Sequence, residues 1–202
     1  MTAPVDLDRM RTRWPGGDAA FADLVTRYSE PHRSYHDLAH IERVLDTIDE
    51  LGGGQAVSFA GWFHDVIYDP RGSDNEAASA DYAAATLQRM GEPGELIEEV
   101  SRLIRLTATH QLDQADDRSG AVLLDADLAI LGASPARYRR YCEAVRVEYG
   151  WLADDEWRTG RTAVLQGFLA RPRLFSTDVM KDRLEDKARS NIAAELVELN
   201  QR

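Results

Sequence analysis

The stretch HDLAHIERVLDTIDEL, residues 36–51, decides the fold class. Ile41, Val44, Leu45, Ile48 and Leu51 recur at steps of three and four, the period of a helix with one buried face. GGG at 52–54 stops it, because glycine accepts the left-handed backbone that closes a helix. The same alternation of helical runs and short Gly, Pro and Asp punctuation extends in both directions. It predicts helices over 18–29, 36–51, 55–67, 75–90, 95–108, 119–131, 135–150, 154–170 and 178–200. Asp74 or Ser73 is placed to cap the fourth of these. Only AVLL at 121–124 reads equally well as a strand. The expectation is an all-α bundle of about eight to ten helices. It is a single domain over 1–202, with a core at about 31–132 and further C-terminal helices over about 135–200.

Composition narrows the class. At 202 residues, 44% hydrophobic and 29% charged, the chain is long enough for a real core and ordinary for a soluble protein. No apolar run approaches the roughly 18–20 residues of a membrane span, and MTAPVDLDRMRTRW has no long apolar core of a secretory leader. Cytoplasmic residence is the simplest expectation. One cysteine, Cys142, excludes an internal disulfide and a cysteine-based zinc cluster; its helical setting reads as an ordinary thiol. A net charge of −11 argues against a long nucleic-acid ligand, whose affinity comes from clustered Lys and Arg. A small anionic substrate is compatible with it, since a bound cation reverses the local field.

AGWFHDVIYDP, residues 60–70, sets two ionisable groups, His64 and Asp65, inside an apolar run. Leaving either dry and unpaired is costly, so something must satisfy them. The five histidines, His32, His36, His40, His64 and His110, all lie in the first 110 residues. His36 and His40 are four apart and are expected on one helix face; His40, one turn before Val44, should point inward. His64 has the small residues Ala60 and Gly61 one turn earlier, leaving room for a close neighbour. Imidazole nitrogen with carboxylate oxygen suits Mn²⁺, Fe²⁺, Mg²⁺ or Zn²⁺. A further carboxylate is expected from VLLDADLAILG at 122–132, which buries Asp125 and Asp127 in a second apolar run. Ala121, Ala129 and Gly132 on its face favour Asp125. For each residue the plain alternative is structural: a hydrogen-bonded core histidine, a helix cap or a salt-bridge partner.

The order of these residues resembles the HD superfamily of metal-dependent phosphohydrolases, an H…HD…D pattern on a helical bundle. YHDLAHIERVL carries the first His, FAGWFHDVIYD the HD pair and LLDADLAILG the last Asp. The likeness is to a bacterial subgroup of about this length, described as predicted HD-type phosphohydrolases. It extends through NEAASA (75–80), LTATH (106–110), VRVEYG (145–150), GRTAVLQGFL (160–169) and EDKARSNIAAEL (185–196), covering most of 31–199. The resemblance implies His40, His64, Asp65 and Asp125 or Asp127 as ligands of a divalent ion (manganese, magnesium, iron, zinc, nickel or cobalt). It implies hydrolysis of a phosphate ester or anhydride, a nucleotide included, by metal-activated water. Asp65 would also orient that water. Glu76 and His110 are candidates for base, acid or supporting roles. Arg33, His36, Arg161 and Arg189 are candidates for contact with a phosphorylated substrate, Arg for its bidentate fit to phosphate. The long C-terminal helices leave room for a homo-oligomer.

Three rivals accompany this expectation. HDLAH at 36–40 nearly spells the zinc-protease motif HExxH, but Asp37 is one methylene shorter than the Glu that motif needs. A di-iron oxygenase needs further histidines, and only His110 lies beyond Asp65. A nucleotide-binding sensor with little turnover keeps the same ligands without fast chemistry.

Overall fold

The computed structural model describes residues 5–201, and these hold ten α-helices and one 3-10 turn, with no strand among them. The all-α expectation is met. In chain order the helices are α1 (Leu7–Arg13), α2 (Asp18–Tyr28), α3 (Leu38–Glu50), α4 (Gln55–Phe63), α5 (Asn75–Met90) and α6 (Gly94–Leu106). There follow α7 (Arg118–Leu128), the 3-10 turn Ala129–Gly132, α8 (Pro135–Glu148), α9 (Asp154–Leu169) and α10 (Asp178–Asn200). AVLL at 121–124 is helical, inside α7. The chain divides into two compact units, the first ending at Ala126 and the second beginning at Asp127.

In the first unit α4 packs against α3, α5 and α6, and α5 against α6. The core takes Ile41, Val44, Leu45 and Ile48 from α3, Phe59, Trp62 and Phe63 from α4, and Val100, Leu103 and Ile104 from α6. Each such side chain contributes about 1.5–3 kcal/mol on burial. Gly61 makes the α3–α4 contact close: a Cβ there would stand 2.6 Å from Ile48 Cδ1 and 3.3 Å from Leu45 Cδ2. The small residue beside His64 thus serves helix packing. α3 ends as its glycines predict, with Gly52 at φ +70°.

Helix ends differ from the sequence reading at two places that matter. Asp37 is the N-cap of α3, its side chain accepting the His40 N–H, so His36 precedes the helix and does not share a helical face with His40. α4 was expected to run to residue 67 but stops at Phe63, with His64 as its C-cap. The HD pair therefore lies in a turn, not mid-helix. The carbonyls of Asp65 and Val66 are taken by the Arg33 guanidinium, and Ile67 is held through both its N–H and its C=O by the Ser79 hydroxyl. These tertiary bonds replace the helical ones. At position 74, Asp74 stands before α5 without a side-chain capping bond.

In the second unit the 3-10 turn lies against α10, where Gly132 leaves no room for a Cβ beside Leu184. Asn191 Nδ2 donates to the carbonyls of Leu131 and Ala133 at 2.8 and 2.9 Å, satisfying the end of that turn. α9 and α10 are joined by the ion pair of Arg161 with Glu195. Among the described residues no single helix is long and apolar enough to cross a membrane.

Candidate metal centre

Two chain segments bring three ligand atoms together in the first unit. His40 sits in the first turn of α3, where Asp37 has set the helix start. His64 and Asp65 follow directly on α4. His40 Nε2 and His64 Nε2 are 3.1 Å apart. Asp65 Oδ2 lies 3.2 Å from His64 Nε2 and 3.5 Å from His40 Nε2. Both imidazoles are buried, and Asp65 keeps a side exposed to solvent. Among the described residues these three form the group able to hold a metal ion.

The donor chemistry fits such an ion. His64 Nδ1 lies 3.0 Å from the Gly61 carbonyl, an oxygen that can only accept, so Nδ1 carries the proton. In its neutral form the ring would turn its Nε2 lone pair toward His40 and Asp65. A backbone acceptor behind a ligating histidine is the usual way its tautomer and orientation are fixed. A triangle of 3.1, 3.2 and 3.5 Å has its centre about 1.9 Å from each corner, close to metal–nitrogen and metal–oxygen bonds of about 2.0–2.2 Å. Two histidines and one carboxylate form a borderline-to-hard set.

The other expected site residues fall in varied places. Asp125 is fully buried on α7, and Asp127, on the same helix, is half-buried. His36 is half-buried, with its ring centre 5.8 Å from that of His40 and 4.3 Å from that of Tyr68. Glu76 is half-buried in the first turn of α5. His110 lies on the turn after α6 at φ +49°, a left-handed conformation that is uncommon outside glycine. The Arg33 side chain is fully buried and donates to Glu30 Oε2 and to the carbonyls of His36, Asp65 and Val66. Arg161 forms a two-pronged pair with Glu195 at 2.7 and 3.1 Å, and Arg189 pairs with Glu185 while donating to the carbonyls of Leu169 and Arg171.

Sequence reasoning passed over the aromatic frame of this region. Tyr35 stands with its ring centre 4.9 Å from that of His40, and Tyr68 packs on His36. Tyr28 donates its hydroxyl to the Trp62 carbonyl at 2.8 Å. Burial, and then the charge of Asp65, hold its phenol well above the usual tyrosine range. The available signal was three tyrosines, each within five residues of a candidate His or Arg. Asn75 and Ser79 were also missed as supports. Asn75 exchanges two hydrogen bonds with the Asp69 backbone, beside the Ser79 clasp on Ile67. Cys142 is a quiet thiol: burial, then the Glu195 carboxylate, push its pKa up to about 12.

Comparison with protein-family models, with curated proteins and with solved structures returned no match.

Proposed function

We propose that the chain is a metal-dependent phosphohydrolase of HD type, cleaving a phosphate ester or anhydride, with nucleotides among the substrates to test first. The observation that carries this is the convergence of His40, His64 and Asp65, from segments about 24 residues apart, on a triangle of ion-binding size. It supports the resemblance in YHDLAHIERVL and FAGWFHDVIYD at the positions where that resemblance is most specific. A divalent ion held there would acidify a water molecule and draw charge from a phosphoryl oxygen. Gly61 keeps His64 in the right tautomer, and Asp37 fixes the turn that presents His40. Asp65, the ligand with an exposed side, is placed to accept a hydrogen bond from the attacking water. Asp125 is the fourth ligand in this proposal. His36, packed by Tyr68, offers an aromatic surface beside His40 for a substrate's organic part. The substrate is a small phosphorylated molecule, and residence in the cytoplasm goes with it.

The test is turnover on a panel of phosphate esters and nucleotides, with and without Mn²⁺, by the wild type and by Asp65→Asn. Phosphate release that needs metal and disappears in the variant supports the proposal. Metal binding without turnover on any of them points instead to a nucleotide sensor.

A second reading is favoured by one observation: two histidines and one carboxylate are also the ligand set of mononuclear iron oxygenases. Tight iron retention with substrate-dependent oxygen consumption would select it. The protease rival loses its geometry, because His36 lies outside α3 and Asp37 is spent on capping.

A further inference from the structure

Arg33 lies where the two ligand-bearing segments meet, and its guanidinium is bonded to both. Nη1 donates to the His36 carbonyl at 2.9 Å and to the Asp65 carbonyl at 2.8 Å. Nη2 donates to the Val66 carbonyl at 3.1 Å, and Nε to Glu30 Oε2 at 3.1 Å. Its Cζ lies 5.0 Å from the Tyr28 ring centre and 5.4 Å from that of Tyr68. A buried guanidinium between two aromatic rings, with its donors divided among carbonyls, is rigid in a way a surface arginine is not. One planar group thus spans the entry to α3, four residues before His40, and the peptide units of Asp65 and Val66.

We propose that Arg33 is the positioning residue of the metal group, setting the distance between the His40 segment and the His64–Asp65 turn. This rests on the metal reading of His40, His64 and Asp65. The guanidinium is placed to hold backbone; the substrate anion has to be met by other groups. Without Arg33, three carbonyls near the site lose a charged donor, and the turn after Phe63 loses one of the two clasps, Arg33 and Ser79, that hold it out of the helix. The ligand atoms would then sample more than one arrangement, weakening the ion's hold without removing a ligand.

The test compares wild type with Arg33→Met, Arg33→Lys, Glu30→Gln and His64→Ala. Two measurements are made: affinity for Zn²⁺ against a chromophoric chelator, and the long-range ¹H–¹⁵N spectrum of the imidazoles in metal-free protein. The expected result is a Zn²⁺ affinity lowered by about 10–100-fold in Arg33→Met, with helix content preserved. Arg33→Lys, with one compact ammonium in place of a planar fork, should fall between it and wild type. Glu30→Gln, which keeps the three carbonyl bonds, should bind as wild type does. In metal-free Arg33→Met the single His64 tautomer should give way to exchange-broadened signals. An Arg33→Met or Arg33→Lys protein that melts lower but keeps wild-type Zn²⁺ affinity and the wild-type imidazole spectrum overturns the proposal. Zn²⁺ binding absent from wild type, or retained in full by His64→Ala, defeats the metal reading instead. The metal-free spectrum still decides whether Arg33 orders the two histidines.

Discussion

Two imidazole nitrogens, one from α3 and one just after α4, stand together at the candidate metal centre. At 3.1 Å, with a carboxylate oxygen at 3.2 and 3.5 Å, the buried His40 and His64 and the half-buried Asp65 leave a gap of ionic size among them. His64→Ala removes one corner of the triangle, and Mn²⁺ or Zn²⁺ affinity should fall by at least about 100-fold, measurable by calorimetry. Gly61→Ala is the subtler residue-scale test. The added methyl would meet Ile48 Cδ1 at 2.6 Å, and α4 would have to move away from α3. Overpacking of this kind costs about 1–3 kcal/mol, to be read by denaturant unfolding. Because Gly61 also supplies the acceptor for His64 Nδ1, the same variant should lose metal affinity while every ligand remains. Ser58→Ala, on α4 and six residues before His64, provides the control for the helix itself, with both properties expected to stay near wild type.

At the scale of elements, the sequence was readable where apolar spacing dictates structure and opaque where distant bonds do. α3 follows from Ile41, Val44, Leu45 and Ile48, and α10 from its long run after residue 178. α1 was missed because LDRMRTR buries only Met10. That helix is held by the Asp6 cap and by Arg9 and Arg13 pairing with Glu42, Asp46 and Asp49 on α3. α4 was overextended because Val66 and Ile67 continue its apolar pattern, while Arg33 and Ser79, remote in sequence, end it. The candidate ligands were visible as ionisable groups in apolar runs; their supports were not, since Tyr35 and Tyr68 fall outside those runs and Ser79 reads as one more small residue of an Ala-rich helix. The α9–α10 junction yields its own prediction. Glu195 is buried, and although burial alone would raise its pKa, the Arg161 hydrogen bonds and charge bring it below the ordinary 4.5. Its contribution is therefore complete above the ordinary glutamate range and is lost as pH falls through the folded value. Glu195→Gln, which strands the Arg161 charge, should cost about 3–5 kcal/mol at neutral pH. It should also flatten the acid limb of the stability profile below about pH 4.5, as followed by circular dichroism in urea.

For the whole molecule, a net charge of −11 is carried by a chain whose proposed ligand is anionic. A divalent ion, once bound, would resolve the conflict locally, and a long polyanion should find no footing: no shift of duplex DNA is expected in a gel at physiological salt. Ion binding to the folded state alone raises stability by mass action, about 2.7 kcal/mol at a hundredfold excess over Kd. Added Mn²⁺ or Zn²⁺ should raise the melting temperature of wild type and leave that of His64→Ala in place. The most direct measurement is metal content per chain by elemental analysis, for wild type and His64→Ala purified side by side without added metal and then equilibrated with one divalent ion. The account predicts about one ion per wild-type chain and almost none in the variant. Equal content in both, or none in wild type at saturating ion, would contradict it.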